Sequence, residues 1–535
     1  MTGNEVASSR SIHGAAAAGP DADVVIAGGG PAGLMLAIEL CLGGVTPVVL
    51  ERLGEISVIP KGNGLVGQIV PVLDYRGLLD RLSAGATYAG PVPGFAFGPL
   101  QLDFSRLASS PLHVLAIPQR RLEQILAERL AELGSTVRRG HELTGFSQDD
   151  DAVTISVTGP DGGYQLRAAY LAGCDGAHSQ VRKLAGIGFP GITSSEVYRI
   201  GRVTVPAAMI IRRTGEVEVP GAGRLRPFEQ VRAGTGSYSI APLASLDATA
   251  APDTYIVSTR EDKGGADLDS AMTLEELQAS VRRVIGAELP MTQPQWLSRV
   301  VANSRQADRY QSGRVLLAGD AAHVFGLGGS LNTGLLDALN LGWKLAAQAR
   351  GTAPSGLLST YHSERHAAGR RTLLQTRAQR ALSASGEAAD ALRELVGELL
   401  EFPAAVRHVG ELVEGSDIRY EPPDGPADRH PLAGRLAPDI RLTAADGSTA
   451  HVAELMRAAR PLLLDLTPGG RVAAVAEGWT GRVPVLIATP LGNTAGADAL
   501  LIRPDGFVAW ATGPGAAEPA AGLASALTAW FGPPA

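Results

Sequence analysis

The stretch Asp23-Val-Val-Ile-Ala-Gly28-Gly-Gly30-Pro-Ala-Gly33, continued by Leu34 to Gly43 and by Thr46-Pro-Val-Val-Leu-Glu51-Arg52, reads as strand, tight turn, helix and second strand. Val24 to Ala27 is a short apolar run, as a parallel strand buried on both faces requires. Gly28, Gly30 and Gly33 satisfy G-x-G-x-x-G. The first permits the turn, the second lets the backbone approach a pyrophosphate, and the third lets helix and strand pack closely. Pro31 and Ala32 open the helix, whose free N–H groups and positive dipole end would meet that pyrophosphate. Glu51, with Arg52 beside it, ends the second strand 23 residues after Gly28, where a carboxylate can accept hydrogen bonds from ribose hydroxyls. The glycine motif alone is weak evidence. The strand before it, the helix after it and the acid at this spacing outweigh the alternative of a structural glycine turn.

Outward from this unit, the chain of 535 residues is long enough for about three domains. A net charge of −7 gives no basic footprint for nucleic acid. No apolar run reaches the ~18 residues of a membrane span. Two cysteines, Cys41 and Cys174, lie far apart outside any C-x-x-C, which fits a reducing cytoplasm and excludes a disulfide framework. The histidines show no metal-ligand spacing, so no metal site is expected. Residues 1–20, rich in Ala, Ser and Gly, are expected to be a disordered leader. Residues 21–190 and 290–414 are assigned to a split Rossmann-like domain with long C-terminal helices. The interval 191–289, with short alternating strands, is assigned to an inserted substrate-binding sheet. Residues 415–438 read as a linker, and 439–535 alternate strand and helix again. Ile69 to Leu82 is expected to be helical, and Val137 to Leu143 a strand.

Two further apolar strands end on Asp: Tyr170-Leu-Ala-Gly-Cys174-Asp175-Gly176 and Arg314-Val-Leu-Leu-Ala-Gly319-Asp320-Ala-Ala-His323. In open α/β sheets, ligands lie at the carboxyl ends of strands. Glu51, Asp175 and Asp320 could thus face one extended cofactor. A flavin dinucleotide would use the third acid, because its ribitol needs an acceptor midway. Asp320 as a mere helix cap remains open on the residues alone. The segment from Gly326 through Gly329 to Leu331 and Asn332 then opens another helix, whose N-terminus would stabilise negative charge on a reduced ring.

Taken together, Gly28-x-Gly30-Pro-Ala-Gly33, Cys174-Asp175-Gly176 with Ser179, Val181 and Arg182, and Gly319-Asp320-Ala-Ala-His323 resemble the three signatures of class A flavoprotein aromatic hydroxylases. These are of the p-hydroxybenzoate hydroxylase type, and the resemblance is nearest to angucycline, anthracycline and tetracycline pathway enzymes. Leu341-Gly-Trp-Lys-Leu345, Tyr361-His-Ser-Glu-Arg365 and Leu501-Ile-Arg-Pro-Asp-Gly506 also match, so the resemblance spans roughly 22–531. It implies an α/β fold with a Rossmann-like FAD domain, an inserted sheet and a C-terminal thioredoxin-like domain. With no cysteine after Cys174, that last domain cannot run dithiol chemistry.

The resemblance also implies FAD, with NADPH or NADH as transient reductant, and O2. These would oxygenate a polycyclic aromatic polyketide through a flavin C4a-hydroperoxide, in a cytoplasmic monomer or homodimer. It implies that Gly28 to Gly33 hold the pyrophosphate, Glu51 the adenosine ribose and Asp320, after Gly319, the ribitol. Lys61 stands in place of an FAD-contacting Arg, Gln119 meets the cofactor, and Leu143 lies near the adenine. Catalytic side chains stay unassigned, since the flavin would carry the chemistry. Met209, Ile211, Phe228, Tyr238 and Pro242 are candidates to line a substrate pocket, and core packing is an equal reading of them. The segment His323 to Asn332 departs from the family pattern: it lacks the usual Pro and Gln and is about two residues short. That departure keeps open an altered outcome (Baeyer–Villiger insertion, epoxidation, reduction or dehydration) or a non-catalytic flavin binder.

Overall fold

The computed structural model describes residues 20–59, 62–233, 235–262, 270–326, 329–421, 430–444 and 446–535. Residues 1–19 of the expected leader, Lys61 and residues 422–429 of the expected linker lie outside them. At the centre, Ala22–Ala27 pairs in parallel with Val48–Glu51 on one side and Gly162–Gly173 on the other. Val137–Arg139 and Val315–Leu317 extend the parallel sheet outward. Val24, Val25 and Ile26 are fully buried, as their unbroken apolar run demands. The register sets Ala27 beside Leu50 and Gly173, Gly173 beside Leu317, and Glu51 beside Arg139. Five carboxyl ends therefore finish at one edge.

Two elements differ from their sequence reading. The strand expected from Val137 to Leu143 is two strands, Val137–Arg139 and Glu142–Gln148, with a turn between them. The second pairs with Val153–Gly159, not with the parallel sheet. The helix expected over Ile69 to Leu82 is broken into Ile69–Asp74 and Leu79–Ser83. The break is made locally by Gly77 at φ +63°, whose N–H and that of Leu78 close back on Asp74 O and Leu73 O, and it is used by Tyr75 Oη, which donates to Ala437 O (2.6 Å), and by Arg76, which donates to Glu39 and to Pro504 O.

The second sheet orders Val231–Ala233, Gly236–Pro242, Thr254–Asp262, Gly191–Thr204, Thr292–Gln306 and His323–Val324, all antiparallel. Thr292–Gln306 pairs along Gly191–Thr204, so the inserted sheet runs past the expected boundary at 289 to Gln306. Leu274–Ile285 covers one face. Its ends are locally encoded, with Thr273 accepting Glu276 N–H, Glu275 and Glu276 in the first turn, and Arg282 and Arg283 in the last.

The C-terminal sheet orders Thr449–His451, Arg441–Ala444, Val485–Pro490, Leu462–Asp465, Ala499–Ile502 and Val508–Thr512, with one parallel pair at its centre. This is the strand order of a thioredoxin-like sheet. Buried charges join it to the long helices Ser330–Ala349 and Thr360–Leu382. Glu364 receives Arg503 Nη1 (2.6 Å) and Lys344 Nζ (2.7 Å), Asp505 also binds Arg503, and all four are at most 5 % exposed. These residues belong to the motifs 341–345, 361–365 and 501–506. Burial alone would raise the Glu364 carboxyl, but Arg503 and Lys344 outweigh it and bring it to about 2. Lys344 falls to about 8, because it leaves water for a carboxylate that it shares with Arg503. Removing one partner of such a cluster costs roughly 3–5 kcal/mol. Tyr420, in the expected linker, is buried too: it stacks on Phe507 at 4.2 Å and accepts from Arg365 Nη1 (2.8 Å). Among the described residues, no helix is long and apolar enough to cross a membrane.

Candidate active site

The carboxyl edge of the parallel sheet opens into a cleft of about 610 Å³. Gly28 adopts φ +111°, and a Cβ there would lie 2.3 Å from Cys174 O. A Cβ on Gly33 would lie 2.0 Å from Gly28 O, so the helix can cross the strand this closely only with glycine. Gly30 has no atom within 4 Å of its Cβ position, which leaves the backbone open to a ligand. The helix Pro31–Leu42 has no side-chain cap, so its first N–H groups face the cleft. Glu51 is fixed from both sides: Oε2 accepts Gly29 N–H (2.8 Å) and Oε1 accepts Leu53 N–H (2.9 Å).

Asp175 Oδ2 accepts from Gln180 and Val181 N–H, while its Oδ1 is buried and unpartnered among the described residues. An orphaned acceptor on a cleft wall is what a hydroxyl-rich ligand would satisfy. Asp320 lies inside the 3-10 turn Gly319–Ala321, not at its cap, and lines the cleft. Beneath it, Asp337 accepts Gly319 N–H (3.1 Å), faces His323 Nε2 (2.6 Å) and receives Arg365 Nε (2.7 Å). Burial would raise the Asp337 carboxyl, but His323 and Arg365 together hold it below the ordinary range. His323, fully buried and stacked on Phe325 at 4.8 Å, is thus part of the scaffold.

At the far end, the helix Ser330–Ala349 starts against the cleft, again without a side-chain cap. Asn332 Oδ1 accepts Val66 N–H (3.1 Å). The short loop before it is closed by Ser330 Oγ, which accepts Phe325 N–H (3.0 Å), and Gly326 N–H reaches Ser304 Oγ (3.4 Å). These bonds stand at the segment where the usual Pro and Gln are missing.

Of the residues expected at a cofactor, Gly28, Gly30, Pro31, Ala32, Glu51, Arg52, Gln119, Leu143, Asp175, Gly319, Asp320, Gly329, Leu331 and Asn332 line this one cleft. Gly33 lies just beneath the turn, and Lys61 is outside the described residues. The sequence reading missed Glu123, Arg139, His141 and Lys183, which also line the cleft. Arg139 was hidden because the expected strand ran on to Leu143; only the structure ends it at Arg139, in register with Glu51.

The five residues expected at the substrate are not on the cleft wall. Met209 and Tyr238 pack against the apolar core of the inserted sheet, Phe228 is 55 % exposed, and Ile211 sits on a separate three-stranded sheet. Pro242 lies by Gly215. Register explains this placement. Tyr238 pairs with Thr259, whose hydroxyl bonds Ser280 on the covering helix, so both face away from the cleft. The opposite face carries Tyr198, Ile200, Arg202, Ser258, Arg260 and Ser298. It meets the nucleotide domain where Arg202 Nη2 donates to Asn63 Oδ1 (3.0 Å) and where Ser304 meets Gly326. Of the sheet arginines, Arg199 is buried against Glu261 and Glu276 on the helix side, and Arg224 and Arg226 make exposed ion pairs. Among the described residues, no group of three or more His, Cys, Asp or Glu could hold a metal ion.

Residues 21–376 match the family described as FAD binding domain, and residues 430–534 that described as aromatic-ring hydroxylase, C-terminal. The chain is 41 % identical over 524 residues to 12-dehydrotetracycline 5-monooxygenase/anhydrotetracycline 6-monooxygenase of Streptomyces rimosus, covering 96 % of this chain and 99 % of the relative. It is 39 % identical over 516 residues to dialkyldecalin synthase of Streptomyces rugosporus, covering 96 % and 99 %. The solved structure of an anhydrotetracycline hydroxylase from Streptomyces rimosus superposes with a TM-score of 0.83 at 39 % identity, covering 96 % of this chain and 100 % of that one. The glycine turn, the strand-end carboxylates and the orphaned Asp175 oxygen all fit the flavin dinucleotide that such proteins bind, and the chain belongs to the FAD-dependent aromatic-ring hydroxylases, a family of flavoprotein monooxygenases.

Proposed function

We propose that this chain oxygenates a polycyclic aromatic polyketide, using FAD, O2 and NAD(P)H, within bacterial antibiotic biosynthesis. The observation that carries the reading is the single cleft in which one glycine turn and the strand-end acids Glu51, Asp175 and Asp320 converge. Bound FAD would supply the redox chemistry, taking electrons from the nicotinamide and activating O2. The chain's own work is holding and shielding. The backbone of Gly28 to Gly33 receives the pyrophosphate, with Arg52, Arg139 and Lys183 adding positive charge along the cleft. Glu51 accepts from the adenosine ribose, beside Leu143. Asp320 accepts from the ribitol, and Gln119 borders the 62–64 backbone. The N-terminus at Ser330, Leu331 and Asn332 stabilises negative charge at the ring end.

The polyketide lies against the sheet face carrying Tyr198, Ile200, Ser258 and Ser298. Arg202 is the group able to hold an ionised phenol or enol. Arg260, 5 % exposed, braces that face instead: its Nε lies 3.5 Å from Glu196 Oε1, and its Nη atoms donate to Tyr198 Oη and Ser383 O. The two well-separated cysteines, neither in a disulfide, favour a cytoplasmic setting, as a monomer or homodimer.

Purified protein tests this. Yellow, FAD-loaded protein should consume NADPH faster when an aromatic polyketide is added, and the product should gain the mass of one oxygen. A second reading, in which FAD is retained but the product is not oxygenated, is favoured by the altered segment before Asn332 and by a relative named as a synthase. A product of unchanged or lowered mass would select it. A colourless protein that takes up no FAD would sink both.

A further inference from the structure

The reductant must bind somewhere other than the glycine turn, because the sequence holds one G-x-G-x-x-G in a strand–helix context and FAD occupies it. A second groove, of about 700 Å³, runs along the helix Thr360–Leu382. Its other wall is Pro190-Gly191 and Gln306 to Asp308. Arg370 and Arg377 project from the helix into this groove; both are exposed, and neither has an ion-pair or hydrogen-bond partner among the described residues. They are seven residues apart, hence on one face and roughly 10 Å apart along the axis. Leu374, 52 % exposed, lies between them, and Pro190 lies opposite. Arg371 is neutralised by Asp417 (2.5 Å), and Asp308 is the acid of the groove, near His366.

The helix itself separates the groove from the cofactor's ring end, which its opposite face meets at Thr372. A Cβ on Gly329 would sit 3.5 Å from Thr372 Cγ2 on the same helix. Gln306, a groove residue, pairs with His323 and donates to His366 O (2.9 Å).

We propose that this groove binds the phosphate-bearing half of NADPH. Arg370 and Arg377 hold its phosphate groups through charge-assisted forks, and Leu374 with Pro190 supports the adenine. On a chain of net charge −7, two unpaired arginines flanking an apolar side chain are the local attraction that a polyanionic nucleotide needs. The 2′-phosphate gives the site its preference for NADPH over NADH. The assignment rests on the monooxygenase reading.

The test is anaerobic flavin reduction in the FAD-loaded protein, with NADPH and with NADH, for wild type and for Arg370→Ala, Arg377→Ala and the double variant. The concentration of NADPH for half-maximal reduction rate should rise about tenfold or more in the double variant, while the saturating rate holds. NADH should be affected less, and 2′,5′-ADP should inhibit wild type competitively but not the double variant. Both arginines are exposed, so FAD content and melting temperature should stay unchanged and report an intact fold. Wild-type flavin that NADPH reduces, with all variants behaving alike, overturns the groove alone. Wild-type flavin that no pyridine nucleotide reduces overturns the monooxygenase reading and the groove with it. Equal effects on NADH and NADPH overturn the 2′-phosphate contact.

Discussion

The two ends of the cofactor cleft are built on different plans. At the adenosine end, Gly28, Gly33 and Glu51 sit within 24 residues, and their contacts are to backbone: Glu51 to Gly29 and Leu53 N–H, and Gly28 against Cys174 O. At the ring end, Asn332 bonds Val66, Gly326 bonds Ser304, and Asn63 meets Arg202 from another domain. The first end is a local motif that any strand–turn–helix would carry. The second is a tertiary assembly whose contacts span from 22 to 266 residues of chain. Affinity for the cofactor should therefore depend on the first end, and turnover and substrate choice on the second.

That contrast can be broken at several points. Gly28→Ala puts a Cβ onto Cys174 O at positive φ; roughly 3 kcal/mol or more of strain should leave FAD retention at least ~100-fold weaker, read from the flavin absorbance of purified protein. Flavin content like wild type would deny that the turn is the anchor. The buried clamp that joins the C-terminal domain to the long helices stands outside the cleft, and it titrates. Glu364, lowered from 4.5 to about 2, binds more protons unfolded than folded in that window. Its contribution is complete above pH 4.5 and is lost as pH falls toward 2, on the order of 3 kcal/mol, and Glu364→Gln should flatten this slope in acid denaturation.

Glu51→Ala should weaken FAD by about 10- to 100-fold, through the ribose and the released Gly29 N–H, measured by fluorescence titration. Ser330→Ala, at the other end, should change FAD affinity by less than about tenfold, since one neutral hydrogen bond is lost. It should lower the fraction of NADPH oxidation that yields product. An effect of Ser330→Ala on affinity as large as that of Glu51→Ala would erase the division of labour. The smallest effect concerns the two faces of the inserted sheet. Ser258→Val should raise the KM for an aromatic polyketide several-fold, through an unsatisfied polar contact. Tyr238→Phe should leave KM within about twofold, because Tyr238 faces the covering helix.

Much of the site was legible because its residues recur in local patterns. Asp175 and Asp320 each end an apolar run, and the structure brings both to the cleft that Gly28 and Glu51 line. Which face of the inserted sheet meets the nucleotide domain was not legible, for a reason of period two. Tyr238 and Ser239 are neighbours on opposite faces, and only the pairing of 239 with 258, and the helix packed over 259, decides which face is covered. The boundary expected at 289 lay short for a similar reason: the membership of Thr292–Gln306 in the inserted sheet depends on Gly191–Thr204, a hundred residues earlier.

The sequence by itself determined the nucleotide turn, the acids at strand ends, the absence of redox cysteines in the last domain and the deviant segment before Asn332. Each of these is a property of side-chain type at fixed short spacing, which backbone sterics and hydrogen bonding translate directly. Only the tertiary structure decided which face of the inserted sheet meets the ring end. It also decided that the motifs at 341–345, 361–365 and 501–506 form one buried ionic clamp, and that Tyr75 and Arg76 bond the C-terminal domain. Buried charges and sheet registers take their energy from partners distant in the chain, and short-range pattern carries no record of those partners.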